Sequence, residues 1–172
     1  MTILDSELHF RLSGGASNTD PDLSLGGIMS TTTDIVDNTA ENLFDHTSGA
    51  ESSAGDVEYR CVFLFNDNDT LVYQGAKVWI DSETTHTNAN IKMALDLAGV
   101  NADADTVADE NTAPSPALTF VEANGEGNAL VMGDIPANGR YAFWVERTIT
   151  AGCLAKNAYT TVFKMKGSSA EA

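Results

Sequence analysis

The side chains best equipped for chemistry in this chain are its carboxylates, three histidines and two cysteines. Asp103, Asp105, Asp109 and Glu110 crowd residues 101–110, and alternating carboxylates of that kind gather round hard cations. The stretch lacks the D-x-[DN]-x-[DN]-G opening and the distal bidentate Glu of the helical calcium loop. Asp67-Asn68-Asp69 is shorter still. Both read as solvated turns whose short polar side chains satisfy the local backbone. His9, His46 and His86 stand far apart and in no metal-ligand spacing. Cys61 and Cys153 are too few for a disulfide framework and too widely spaced for a zinc site. A bridge between them stays open, although a chain without an export signal argues against one. Cys153 has no neighbouring base in sequence, and there is no G-x-S-x-G elbow. The glycine pairs Gly14-Gly15 and Gly26-Gly27 lack the Lys of a phosphate loop and read as bends. No cofactor, no metal and no catalytic set are expected, and an enzyme is the weakest function class.

The elements that would position these residues are strands. Val57 to Phe65 is the longest run with period 2: Tyr59, Cys61, Phe63 and Phe65 form one apolar parity. The other parity opens with Glu58 and Arg60 and turns apolar at Val62 and Leu64. The expectation is a central strand with the first parity in the core, and with Val62 and Leu64 covered by another segment. Leu71–Tyr73, Ala76–Ile80, Ile91–Leu97, Leu118–Val121, Ala129–Ile135, Arg140–Ile149 and Tyr159–Met165 supply further strand, separated by turn clusters such as Pro136-Ala137-Asn138-Gly139. Ile91, Met93, Leu95 and Leu97 are expected inward, and the last two strands are expected to form a hairpin around Ala151-Gly152. Such spacing predicts an all-β fold, an antiparallel β-sandwich of immunoglobulin-like type.

Residues 1–55 differ in character. Ser, Gly, Thr, Asn and Asp dominate, with isolated apolar points. The stretch is expected to be an extended N-terminal arm that anchors through Leu23, Leu25, Ile28, Met29, Leu43 and Phe44, because a structureless loop of this length usually orders on a partner. Residues 56–166 form the sandwich domain, and residues 167–172 a flexible tail. Trp79 and Trp144 lie opposite the better apolar parity of their strands. Either they fill a two-faced core or they anchor an interface from an outward face, where they would also suit a carbohydrate-binding sandwich.

Nine basic against 25 acidic residues give a net charge of −16. That balance argues against tracking phosphates, so no nucleic-acid partner is expected. Residues 140–172 carry net +3, which leaves −19 for residues 1–139; the basic strands can meet acidic segments of the same chain or of another copy. No apolar run approaches the ~20 residues that cross a bilayer, and the N-terminus lacks a basic region followed by an apolar one. No membrane association is expected, and synthesis in the cytoplasm is.

Several phrases carry a likeness beyond these patterns. Phe10-Arg11-Leu12-Ser13-Gly14-Gly15-Ala16-Ser17-Asn18-Thr19-Asp20-Pro21, Ser24-Leu25-Gly26-Gly27, Glu58-Tyr59-Arg60-Cys61, Ala76-Lys77-Val78-Trp79-Ile80 and Gly133 to Arg147 together resemble structural proteins of tailed bacteriophages, most closely capsid decoration (cement) proteins. The resemblance spans residues 10–165 and lies in short phrases, with no catalytic signature. It implies a virion protein on the outer capsid surface, made in the bacterial cytoplasm, that binds the major capsid protein and is a homo-oligomer, dimer or trimer. A tail, baseplate or fibre component would share the same composition.

Overall fold

The computed structural model describes residues 2–154 and 159–171; Lys156 of the basic C-terminal stretch and Ala172 of the expected tail lie outside them. Among the described residues seven strands are formed: β1 (Leu8–Leu12), β2 (Asp56–Asn66), β3 (Leu71–Glu83), β4 (Ala89–Leu95), β5 (Leu130–Ile135), β6 (Arg140–Ile149) and β7 (Thr161–Glu171). One short helix, α1 (Gly49–Ala54), precedes β2. It starts at a capping box in which Ser48 accepts from the Glu51 amide and Glu51 accepts from the Ser48 amide, which satisfies two otherwise orphaned donors.

The strands form two antiparallel sheets, one in the order β1-β2-β6-β4 and the other β5-β3-β7. Val62 and Leu64 of β2 and Phe143 and Val145 of β6 face Tyr73, Ala76, Val78 and Ile80 of β3 in one buried cluster, joined by Met93 and Ile135. This is the interior of a β-sandwich, and the mostly β, two-sheet architecture agrees with the strand periodicities except at Leu118–Val121, where no strand forms and Val121 makes only an isolated bridge to Met93. Burying side chains of this size contributes about 1.5–3 kcal/mol each.

β2 is central, between β1 and β6, but its faces are the reverse of the expected assignment. Val62 and Leu64 point between the sheets, whereas Cys61, Phe63 and Phe65 lie in a second cluster with Met29, Ala104, Val107, Ala142 and Trp144. The four-stranded sheet is therefore buried on both sides. Its outer face is covered by two chain segments, one from residues 13–30 and one from residues 101–120, which supply Leu25, Met29, Ala104, Val107, Leu118 and Phe120.

Residues 1–55 accordingly do not extend away from the domain. Leu12 and Leu43 belong to the inter-sheet core, and Met29 to the outer cluster. The covering segments also pair with each other: Gly27 and Ala104 exchange two backbone hydrogen bonds, at 3.0 and 3.1 Å, and the Val107 amide donates to the Leu25 carbonyl at 3.0 Å. Gly26 makes this approach possible, since it holds φ +92° and a Cβ there would lie 1.7 Å from the Asp105 carbonyl oxygen. The glycine pair and the acidic loop, read separately as a bend and a solvated turn, form one structural device.

Three further expectations are corrected. β6 and β7 form no hairpin; β6 pairs with β2 and β4, while β7 crosses to the other sheet and pairs with β3. Residues 167–171 are not a loose tail but the end of β7, in register with β3 from Gln74 to Leu71. The small side chains allow this, because a Cβ at Gly167 would fall 2.7 Å from the Tyr73 ring. Leu97 is 64% exposed rather than inward, because β4 ends at Leu95 and the chain turns at Asp96.

Candidate functional site

The six proposed anchors of the N-terminal segment divide by burial. Met29 and Leu43 are buried, Leu25 and Phe44 are half-buried, and Leu23 and Ile28 are 57% and 51% exposed. The first four are spent within the chain, which leaves Leu23 and Ile28 at the surface. Polar contacts hold the segment down. The Ser24 hydroxyl donates to the Cys61 carbonyl at 2.7 Å, and the Cys61 amide donates to the Ser24 carbonyl at 2.8 Å. The Ser13 amide in turn donates to Ser24 Oγ at 2.8 Å, and both serines are fully buried. In this way Ser24 occupies the edge of β2 beyond the point where β1 ends, together with Glu110, whose carbonyl accepts from the Tyr59 amide.

Phe44 is seated against two guanidinium groups, Arg60 at 5.4 Å and Arg147 at 4.8 Å from its ring centroid. Glu58 and Arg60, the polar residues that open the Val62–Leu64 parity of β2, are 1% and 0% exposed. Arg147, the cross-strand partner of Glu58 on β6, bonds its carboxylate and also donates to the Asp45 carbonyl and carboxylate. Arg60 pairs with Asp22 at 3.2 Å and with Glu110. Burial raises the Glu58 carboxyl above its ordinary value, an effect that Arg147 only partly offsets. The arrangement ties residues 22, 44–45 and 110 to the ends of β2 and β6. Nothing local in the chain signals it, since each charge finds its partner far along the chain.

Neither tryptophan faces outward. Trp144 is fully buried in the outer cluster, and its indole Nε1–H donates to Asp96 Oδ2 at 2.9 Å. Trp79 is 6% exposed and sits cross-strand from Lys164. Of the two readings of these tryptophans, burial supports core filling over an outward interface anchor. Trp144 does lie on the outer face of its sheet, but that face is covered by residues 13–30 and 101–120 of the same chain. With no exposed indole plane, the carbohydrate-binding reading loses the observation on which it rested.

Carboxylate oxygens of Glu51, Asp56 and Glu58 lie within 4.8 Å of one another. Each has a protein partner: the Ser48 amide, Asn111 and Arg147 respectively. Their chemistry is accounted for by capping and ion pairing. Both cysteines are free; Cys61 is fully buried, and burial pushes its thiol well above the ordinary range. Among the described residues no helix is long and apolar enough to cross a membrane.

The two sheets differ at their edges. In the four-stranded sheet, β1 is covered by residues 33–35, with the Ile35 amide donating to the Phe10 carbonyl at 2.7 Å. On the opposite side, β4 is covered by Val121, which exchanges two 2.9 Å bonds with Met93. In the three-stranded sheet, β5 and β7 are the outer strands. Among the described residues neither makes a backbone–backbone bond beyond β3; at their ends the Ile3 amide donates to Ser169 Oγ at 2.9 Å and Asn66 Nδ2 to the Ile135 carbonyl at 3.3 Å. Comparison with protein-family models, with curated proteins and with solved structures finds no match for this chain.

Proposed function

We propose that the chain is a non-enzymatic structural protein of a tailed-bacteriophage particle, a decoration or cement protein that binds the outer surface of the head and bridges subunits of the major capsid protein. The observation that carries this reading is the asymmetry of the sheet edges. Exposed edges are sites of strand addition, and proteins that remain alone usually blunt them. Here one sheet is closed at both sides, while the other ends in an 11-residue strand. The lysines that would guard it, Lys164 and Lys166, are turned across β3 onto Asp81 and Glu126. At ~3.3 Å per residue such an edge is ~36 Å long. Exposed Leu23 and Ile28 add apolar contact elsewhere on the surface.

Several modest contacts of this type, repeated by symmetry, stabilise a shell through multivalency. The same open edges serve association with further copies as a dimer or trimer. A net charge of −16 disfavours a position facing packaged DNA, which supports the outer surface. The strand spacing also suggests a finer reading, an immunoglobulin-like sandwich. It would put the first, second, fifth and fourth strands in one sheet, and here β6 holds the third place while β5 stands in the other sheet.

The test is co-sedimentation of the full chain with empty phage heads, followed by a particle reconstruction. Saturable binding at fixed positions on the outer shell is the expected result. A chain that stays in the supernatant, or a label that maps to the tail, overturns the reading.

A further inference from the structure

The fold brings together a nucleophile and a base that the sequence keeps 67 residues apart: Cys153 Sγ lies 3.7 Å from His86 Nδ1. Both residues are held in place. Cys153 follows β6 in a turn strapped to α1, its amide donating to the Ser52 carbonyl at 3.2 Å while the Ser52 hydroxyl bonds the Cys153 carbonyl. His86 comes from the β3–β4 connection, which is joined to the same turn by the bond from the Thr150 amide to the Asn88 carbonyl at 2.8 Å.

The ring's tautomer follows from its partners. Nε2 lies 3.1 Å from the Leu154 carbonyl oxygen, which can only accept, so Nε2 carries the proton of the neutral ring. Nδ1 is then the acceptor, shared by the Asn88 amide at 3.2 Å and the Cys153 thiol. This is the tautomer a general base requires. Tyr159 packs edge-on against the imidazole, with centroids 6.4 Å apart, and its hydroxyl is tied to Glu83. His86 also lines an open cavity of about 330 Å³ with Asp81, Glu83, Thr84 and Asn90. Cys153 is partly exposed, whereas Cys61 is fully buried.

We propose that Cys153 and His86 form a thiol–imidazole pair that undergoes exchange with small disulfides of neutral or positive charge. In the reaction His86 Nδ1 accepts the thiol proton and Cys153 Sγ attacks one sulfur of the disulfide. The Cys153 S–S bond forms as the S–S bond of the reagent breaks, and the departing thiolate takes the proton from the imidazolium. Cys153 is oxidised to a mixed disulfide and half of the reagent is reduced to a thiol, so no further oxidant enters. The preference for charge follows from Glu83 on the cavity, where Asp81 is already paired with Lys164, and from a chain of net charge −16, a field that repels anionic reagents.

The experiment treats the full native chain with cystamine, which is cationic, and with 5,5′-dithiobis(2-nitrobenzoate), which is anionic, and follows intact mass with peptide mapping. Modification is expected at Cys153 alone. His86→Asn, checked for an unchanged fold by circular dichroism, is expected to slow the cystamine reaction at neutral pH by about tenfold, because a free thiol is only a few per cent thiolate there. The wild-type rate should also rise less steeply with pH than the variant's, a readout that a merely structural histidine would not move. Relative to free cysteine, the ratio of cystamine to anionic-reagent rates should be raised at low salt and fall as salt is added. Equal rates and pH profiles in wild type and His86→Asn, or first modification at Cys61, would overturn the assignment.

Discussion

The carboxylate of Glu58 and the guanidinium of Arg147 meet directly across the β2–β6 pair, both almost fully enclosed, with Phe44 lying over the arginine. A pair buried this deeply is worth little against an apolar replacement, yet breaking it leaves a lone charge in the interior. Arg147→Met should therefore cost about 3–5 kcal/mol in urea denaturation, whereas the double variant Glu58→Leu, Arg147→Met should recover most of the loss. A double variant as unstable as the single one would contradict this account.

The same pair sets a pH signature. Burial raises the Glu58 carboxyl in the folded state above its ordinary 4.5. A raised value favours folding below 4.5 and opposes it once the pH climbs through the folded-state value. In Arg147→Met the offset from arginine is gone, so that opposition grows. Stability of Arg147→Met relative to wild type should thus improve as the pH is lowered from 7 towards 4.5, measured by denaturation at a series of pH values.

Glu126 titrates in the other direction. Lys166 and then Lys77 bond its carboxylate and hold it down to about 2, against an ordinary value of 4.5. Its contribution is present above 4.5 and disappears as the pH falls through about 2. Glu126→Gln should flatten the acid limb of the stability curve between those values. Because the site is open to solvent, the effect should shrink as salt is added.

Gly26 and Gly49 make a matched test of the covering segment. Gly26 has a positive φ and no room for a Cβ beside Asp105, so Gly26→Ala should destabilise the protein by more than ~1 kcal/mol and raise exchange at the Ala104 and Val107 amides. Gly49 lies in α1 with nothing near its missing Cβ. Gly49→Ala should be neutral or stabilising by about 0.5–1 kcal/mol. Equal effects at the two positions would mean that the 25–27 and 104–107 contact contributes nothing.

What could be read from the chain, and what could not, follows the range of the interactions. Period-2 patterns found β2, β3, β5 and β6, because alternation is a local property of the backbone. Which face of β2 lies inside was misread, because Glu58 and Arg60 give its inner face a polar opening. Their partners Arg147 and Glu110 stand 89 and 50 residues away. β7 was cut short at Met165 because Gly167, Ser168 and Ser169 carry no strand signature of their own; Tyr73 and its neighbours on β3 supply it. Cys153 looked inert for the same reason, since His86 reaches it only through the fold.

The N-terminal segment offers the sharpest separation of folding from attachment. Leu43 is buried in the inter-sheet core, so Leu43→Ala should cost about 2–5 kcal/mol through lost burial and the cavity left behind. Leu23 and Ile28 are more than half exposed, so Leu23→Ala and Ile28→Ala should each stay within about 0.5 kcal/mol of wild type. If these two side chains are the apolar contacts of a capsid-bound protein, the paired variant Leu23→Ala, Ile28→Ala should keep its denaturation midpoint and weaken co-sedimentation with empty heads by about tenfold or more, the size expected for losing a pair of buried aliphatic contacts. Unchanged binding by a folded variant would move the interface away from this segment and onto the open edge of the three-stranded sheet.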